Sequence, residues 1–373
     1  MNHSYRNYGI DLLRIVSMIG VVFLHVLGHG GLLYSYNSPV EFSMVWFFEI
    51  LSYPAVNCFV LISGYVGYKG DNIYPKIKNL FSLLVTVLFY SITIFFVFKL
   101  FGPEPLGMKE LLKSFIPTIT GRYWFFSAYF GLILLSPVLN LFVHKSNLKH
   151  AFTVFVVLFL FSIISVIHDT FFLLGGYSVI WFVLIYLIGA IVKKYDLNKL
   201  FSKKIWFIIV LSAFIVTWLS KIALSFTNIS FLQNNSGRLI NYVSPTIIVM
   251  AVGLLSLFSN ITSISSHPKI ISFFATSAFS VYLIHDNIFI RKYIIANIYT
   301  VVSGFNYLFL ALSIIGIVML IFSCCILIDK IRIYLFNIIK VDKLSKQIED
   351  FIKTKINDIY IFFKLKLEQT KAE

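Results

Sequence analysis

"IDLLRIVSMIGVVFLH", residues 10–25, is an almost unbroken apolar run that nevertheless contains Asp11, Arg14 and His25. How this run is read decides the fold. With its flanks it covers residues 9–30, close to the roughly 20 residues that cross a bilayer as a helix. On a helix, the step from Arg14 to His25 turns about 1100°, some 20° past three full turns, and rises roughly 16 Å. Arg14 and His25 therefore share one face. Asp11 lies one turn before Arg14 and can pair with it, and His29 lies one turn beyond His25. Such a polar stripe must face protein or a wet cavity, because lipid offers ionisable groups no partners.

The rest of the chain has the same character. Of its 373 residues, 59% are hydrophobic and 13% charged, against about 25% charged in soluble domains. The mean hydropathy is +0.88. These values predict an all-α, polytopic membrane protein. Apolar runs of roughly 17–25 residues predict about ten transmembrane helices, near 9–30, 44–68, 78–101, 122–144, 151–168, 172–193, 204–226, 237–260, 270–290 and 303–329. An even count puts both termini on one side. The basic stretch "KKYDLNKLFSKK" (193–204) and the Lys-rich tail place that side in the cytoplasm by the positive-inside rule. In the tail, Leu344, Ile348, Phe351, Ile352, Ile356, Ile359 and Phe363 recur at helical spacing among lysines. This predicts an amphipathic helix on the inner membrane surface, with a coiled-coil contact to another chain as the alternative. The chain thus divides into a transmembrane domain, residues 1–329, and a basic cytoplasmic tail, residues 330–373.

Several function classes drop out. The net charge of +15 comes mainly from lysines in loops and tail, so no nucleic-acid partner is expected. Cys58, Cys324 and Cys325 all lie in apolar runs and suggest neither a disulfide framework nor a zinc site. The first apolar run is too long, and too charged at Asp11 and Arg14, for a cleavable signal peptide. His25 and His29 have the i,i+4 spacing of metal ligands, but "HVLGH" lacks the intervening glutamate of a zincin. No third ligand follows, so no metal is expected. There is no P-loop and no dinucleotide fingerprint.

Arginine is a permanent cation suited to phosphate or carboxylate, and histidine exchanges a proton near neutral pH. A cation below a deep histidine suits an activated acyl donor arriving from the cytoplasm. Its phosphates would stay near Arg14 while its thioester reaches His25, which would deprotonate an acceptor hydroxyl. A structural Asp11–Arg14 pair with a satisfied interior histidine fits the stripe equally well.

Three further stretches favour the chemical reading. "AVNCFVLISGY" (55–65) ends on Ser63, Gly64 and Tyr65; "RYWFFSAYFGLILLSPVLN" (122–140) carries Trp124 and Tyr129; "FSVYLIHDNIF" (279–289) carries Tyr282, His285 and Asp286. Together with the Arg14/His25 spacing, they resemble the motifs of the acyltransferase-3 family of bacterial membrane-integral acyltransferases, from residue 9 to about 325. The resemblance implies a multi-pass protein of the bacterial plasma membrane. It would use cytoplasmic acyl-CoA, most often acetyl-CoA, as co-substrate, with no bound cofactor. The implied acceptor is a hydroxyl of a surface polysaccharide or its lipid-linked precursor, and glycan-assembly proteins are possible partners. The family's first-span arginine and histidine map onto Arg14 and His25, and its serine-glycine-aromatic motif onto Ser63, Gly64 and Tyr65. Many members carry an arginine-rich run after the second span; here Lys69, Lys76 and Lys78 stand in its place, as point charges for donor phosphate without the bidentate fork.

Other residues invite more than one reading. Trp124 suits an aromatic belt or the acceptor site. His285 and Asp286 suit a second polar site or a helix cap. Glu49 falls within the second span and could pair with Arg14 or assist His25. Ten spans with interior polar groups also fit a transporter or flippase for a glycan or small polar solute. A non-catalytic subunit docked through its tail is the third reading. The motifs favour the O-acyltransferase, with His25 as base, Arg14 on the donor and Asp11 supporting Arg14.

Overall fold

The computed structural model describes residues 6–36, 38–70, 77–261 and 268–370. Every regular element among them is helical. In chain order they are α1 (Tyr8–Gly28), α2 (Pro39–Ser52), α3 (Ala55–Gly67), α4 (Ile77–Phe101), α5 (Met108–Phe115), α6 (Trp124–Lys145), α7 (Leu148–Ile167), α8 (Val179–Lys194) and α9 (Lys203–Ser225). There follow α10 (Ser230–Asn234), α11 (Pro245–Ser259), α12 (Pro268–Ala275), α13 (Ala278–His285), α14 (Ile288–Tyr293), α15 (Ile298–Val302), α16 (Tyr307–Ile339) and α17 (Val341–Thr370).

Seven helical spans among the described residues are long and apolar enough to cross a membrane, or eight if a bent pair counts as one. Each of the ten expected segments falls on a helix or a helix pair. α2 and α3 together make one span of 29 residues. α8 and α11, of 16 and 15 residues, rise only roughly 24 and 22 Å, short of the roughly 30 Å hydrocarbon core. The segment expected at 270–290 is broken. Pro268–His285 and Ile288–Val302 meet at an angle of 63°. The break lies at Asn287, whose side chain accepts from the Phe289 amide at 3.0 Å and so caps a new helix.

α1 and α3 lie at the centre. α1 packs on α2, α3, α11, α12, α13 and α16, and α3 on α8 and α11. The α3–α8 contact depends on two glycines. A Cβ on Gly64 would lie 2.1 Å from the Tyr186 carbonyl oxygen, and one on Gly189 would lie 2.2 Å from that of Leu61. Backbones approach this closely only where side chains are absent. The start of α1 is fixed by Asn7, whose side chain accepts from the Ile10 amide and donates to the Ser259 carbonyl at the end of α11.

The bundle has two ends. At the N-terminal end lie the start of α1, the start of α4, α12 and the far end of α16. α16 runs without interruption through residue 329 to Ile339, then turns at Lys340 (φ 58°) into α17. There Lys78 pairs with Asp342 at 3.6 Å. At the opposite end the loop after α1 meets α15, through a bond from the Tyr299 amide to the Gly30 carbonyl, and Lys292 pairs with Glu104.

Candidate active site

One cavity of about 440 Å³ runs along the polar stripe of α1. Arg6, Asp11, Arg14 and Asn79 line its N-terminal part, while His25, Trp124, Tyr242 and Tyr282 line the other. Asp11 is buried and takes two cations, pairing with Arg6 through one carboxylate oxygen and with Arg14 through the other. Two guanidinium groups against one carboxylate leave a net positive charge among the described residues of this mouth. Arg14 keeps 31% of its side chain exposed, so it can still meet an anionic ligand.

At the other end, residues from α1 and from the break after α13 converge. His285 Nδ1 lies 2.6 Å from the Val281 carbonyl oxygen, one turn back. A carbonyl can only accept, so Nδ1 carries the proton and Nε2 of the neutral ring is an acceptor. His25 Nδ1 lies 2.9 Å from that Nε2 and must therefore be its donor. This network assigns the tautomer of His25: the proton sits on Nδ1, and Nε2 keeps its lone pair on a ring that lines the cavity. Asp286 stands behind, with Oδ1 3.5 Å from His25 Nδ1, 3.9 Å from His29 Nε2 and 3.4 Å from Arg291 Nη1. An imidazolium formed on His25 would meet this buried carboxylate at once.

His25, His29 and Asp286 bring ligand atoms within 4.8 Å of one another, which is close enough to hold a metal ion. Arg291 already stands there: its Nη1 is 3.5 Å from His29 Nε2 as well as beside Asp286. A guanidinium in that position opposes a second cation, so the group fits a proton-handling network better than a metal centre.

The middle of the cavity is lined by aromatic rings and hydroxyls. Ser63 Oγ lies 3.0 Å from Tyr129 Oη, and both residues line the cavity. The Tyr282 hydroxyl is buried beside Asp286 and closes no hydrogen bond of ordinary geometry. Gly64 and Tyr65 lie on other faces of α3. Gly64 forms the α8 contact described above, and Tyr65 has Lys193 5.0 Å from its ring. Lys69 is exposed after α3, and Lys78 is engaged with Asp342; neither lines the cavity. Lys76 lies outside the described residues. Glu49 is buried on α2 and pairs with no cation among the described residues. It joins neither Arg14 nor His25.

The structure thus brings together Asp11, Arg14, His25, Ser63, Trp124, Tyr129 and His285. Asp286 joins them as part of a polar site, one of its two readings from sequence, and Arg6, Arg291 and Tyr242 join them without having been assigned roles there. Arg6 could have been found, since it stands five residues before Asp11 at the same membrane entry. Tyr242 gives no local signal, because it reaches the cavity from a loop between α10 and α11.

Comparison with curated proteins and with solved structures finds no match. A family model described as an acyltransferase domain matches residues 7–329. That stretch begins at the cap of α1 and ends within α16, so it holds every residue of the cavity except Arg6, and the chain belongs to the acyltransferase-3 family.

Proposed function

We propose that this membrane acyltransferase moves an acetyl group from cytoplasmic acetyl-CoA to a hydroxyl of a cell-surface polysaccharide or its lipid-linked precursor. In this reading the chain crosses a bacterial plasma membrane ten times, with both termini in the cytoplasm. The observation that carries the proposal is one continuous cavity with a cationic mouth at Arg6 and Arg14 and an oriented histidine roughly 16 Å further along the same helix. The extended pantetheine arm of coenzyme A can bridge that distance. Arg14 and Arg6 hold the donor's phosphates, and Asp11 holds both arginines.

At the far end the acceptor hydroxyl gives its proton to His25 Nε2 as its oxygen attacks the thioester carbonyl. The imidazolium keeps its Nδ1 proton directed at His285 and Asp286. The charge on the carbonyl oxygen needs a donor in the cavity wall, and the unengaged Tyr282 hydroxyl suits that role. Collapse breaks the carbon–sulfur bond, and the coenzyme A thiolate takes the proton back from His25.

The test is NMR of O-acetyl groups on purified surface polysaccharide. A deletion strain would carry either the wild-type gene or His25→Ala, with membrane insertion checked for both. Acetyl signals restored by wild type alone are expected. Equal acetylation in both strains would remove His25 from the chemistry. A glycan that is never acetylated, but falls in surface amount on deletion, would favour transport instead.

A further inference from the structure

Between its cationic mouth and His25 the cavity passes through an apolar stretch. On α1, Met18, Val21 and Leu24 line it between Arg14 and His25. On α6 the lining residues run from Trp124 at the far end to Ser136, roughly 18 Å along the helix. On α3 they run from Val56 to Gly67, roughly 16 Å. Tyr129 on α6 and Ser63 on α3 stand near the middle of these two rows and meet there, Oη to Oγ, at 3.0 Å. The pair is a polar station in a passage otherwise walled by hydrocarbon and aromatic rings.

The partners of this pair assign its protons. Ser63 Oγ lies 2.9 Å from the Phe59 carbonyl oxygen, one turn back on α3. A carbonyl can only accept, so the single Ser63 proton is spent there. Ser63 Oγ must then accept from Tyr129, and the Tyr129 proton is spent in turn. What Tyr129 Oη still offers the cavity is its lone pairs. The ring is held in place to offer them, stacked on Phe125 at 5.7 Å between centroids and 13° between planes. Two committed protons thus turn a group that could donate or accept into an obligate acceptor. Such a group welcomes an N–H or O–H and repels the oxygens of a phosphate or carboxylate.

We infer that Tyr129 accepts a hydrogen bond from an amide N–H of the donor's pantetheine arm, and that Ser63 makes it an obligate acceptor. The inference rests on the acetyl-CoA reading of the cavity. That arm is an aliphatic chain interrupted by two amides. An amide entering an apolar passage gives up water at its N–H, and an N–H left unpaired there is costly. Tyr129 supplies the partner on the path from Arg14 to His25. It selects an amide-bearing arm over a plain alkyl thioester. It also sets the depth of the donor: with phosphates at Arg6 and Arg14 and an amide at Tyr129, the thioester is held at the level of His25.

The experiment measures binding without chemistry. Full-length protein in detergent is titrated by calorimetry with three ligands: coenzyme A, its nucleotide half 3′-phospho-ADP, and an analogue whose two arm amides are esters. The esters keep the length and the carbonyls but lack the N–H. Wild type is expected to bind coenzyme A at least about tenfold more tightly than the ester analogue, a difference of about 1.4 kcal/mol. Tyr129→Phe keeps the stacked ring. It should weaken coenzyme A about tenfold, leave 3′-phospho-ADP within about twofold, and cut the preference for the amide arm to about twofold or less. Ser63→Ala frees the Tyr129 proton to turn towards an ester oxygen, so the preference should narrow there as well, which a loss of fold would not produce. An unchanged amide preference in Tyr129→Phe, or equal weakening of coenzyme A and 3′-phospho-ADP, overturns the assignment. His25-dependent release of coenzyme A from acetyl-CoA, measured in parallel, tests the acyl-transfer reading by itself. Its absence alongside Tyr129-dependent binding of coenzyme A would sink that reading and leave the arm contact standing.

Discussion

In the proposed reaction His25 can act as a base through Nε2 only while its own ring proton stays on Nδ1. His285 sets that condition, since its Nε2 accepts from His25 only because its Nδ1 is committed to the Val281 carbonyl. His285→Ala releases the constraint and lets His25 turn or take the other tautomer. We expect kcat to fall about 10²-fold, within the range for a positioned general base, with KM for acetyl-CoA unchanged and partial rescue by added imidazole. A merely structural loss would lower the amount of folded protein and would not respond to imidazole. Tyr282→Phe removes one hydroxyl from the cavity wall, beside Asp286. It should lower kcat by about 10²-fold at constant donor KM, the usual effect of losing one oxyanion donor; an unchanged kcat in a coenzyme A release assay would take Tyr282 out of the mechanism. The relation of Arg14 to His25 was legible because one helix carries both and helix geometry fixes their angle and separation. The His25–His285 bond joins residues 260 apart. His285 and Asp286 stand out in the sequence as polar residues in an apolar segment, but only the packing of α13 on α1 shows that they belong to the first span.

At the scale of the helix, each hydrophobic run fell on a helix or a helix pair, because lipid requires long apolar stretches whatever they pack against. Length within the fold was harder to read. α8 and α11 are enclosed by neighbours, so protein rather than lipid satisfies their ends, and their apolar runs overstate the helix. The break at Asn287 was not legible either, since an asparagine within an apolar run reads as a polar residue until its cap is seen. This break turns His285 and Asp286 inward and frees α14 to place Arg291 behind them. Ser63, Gly64 and Tyr65 show how one motif divides among faces of a helix: Ser63 reaches the cavity, while Gly64 sets the spacing of α3 against α8. Gly64→Ala would place a methyl group 2.1 Å from the Tyr186 carbonyl oxygen. Overpacking of this kind costs about 1–3 kcal/mol, so the variant should show a lower Tm and reduced membrane accumulation. Ser63→Ala keeps the contact and should leave both measures at the wild-type level while altering turnover. Equal stability of Gly64→Ala and wild type would mean that the two helices can separate without loss.

For the whole molecule, sidedness decides whether the cavity can work as proposed, because a cytoplasmic acyl-CoA can reach it only if the Arg14 mouth opens on that side. α17 reports on that side. It leaves the same end of the bundle as the start of α1 and the start of α4, and it contacts α4 there. Beyond that contact Phe351, Ile359 and Phe363 are exposed with no protein cover, while lysines such as Lys355 and Lys364 remain on the surface. An amphipathic helix with bare apolar residues and surface lysines suits the anionic inner leaflet. Inside-out membrane vesicles treated with trypsin should therefore lose a C-terminal epitope within minutes, whereas right-side-out vesicles should keep it until detergent is added. No cavity-lining residue lies in α17, so a chain truncated after Lys340 should still release coenzyme A from acetyl-CoA at the wild-type rate. If the epitope is lost from right-side-out vesicles instead, the Arg14 mouth faces outward. A coenzyme A donor could not then reach it from the cytoplasm, and the same pair of cations would have to be read as a site for an extracellular anion.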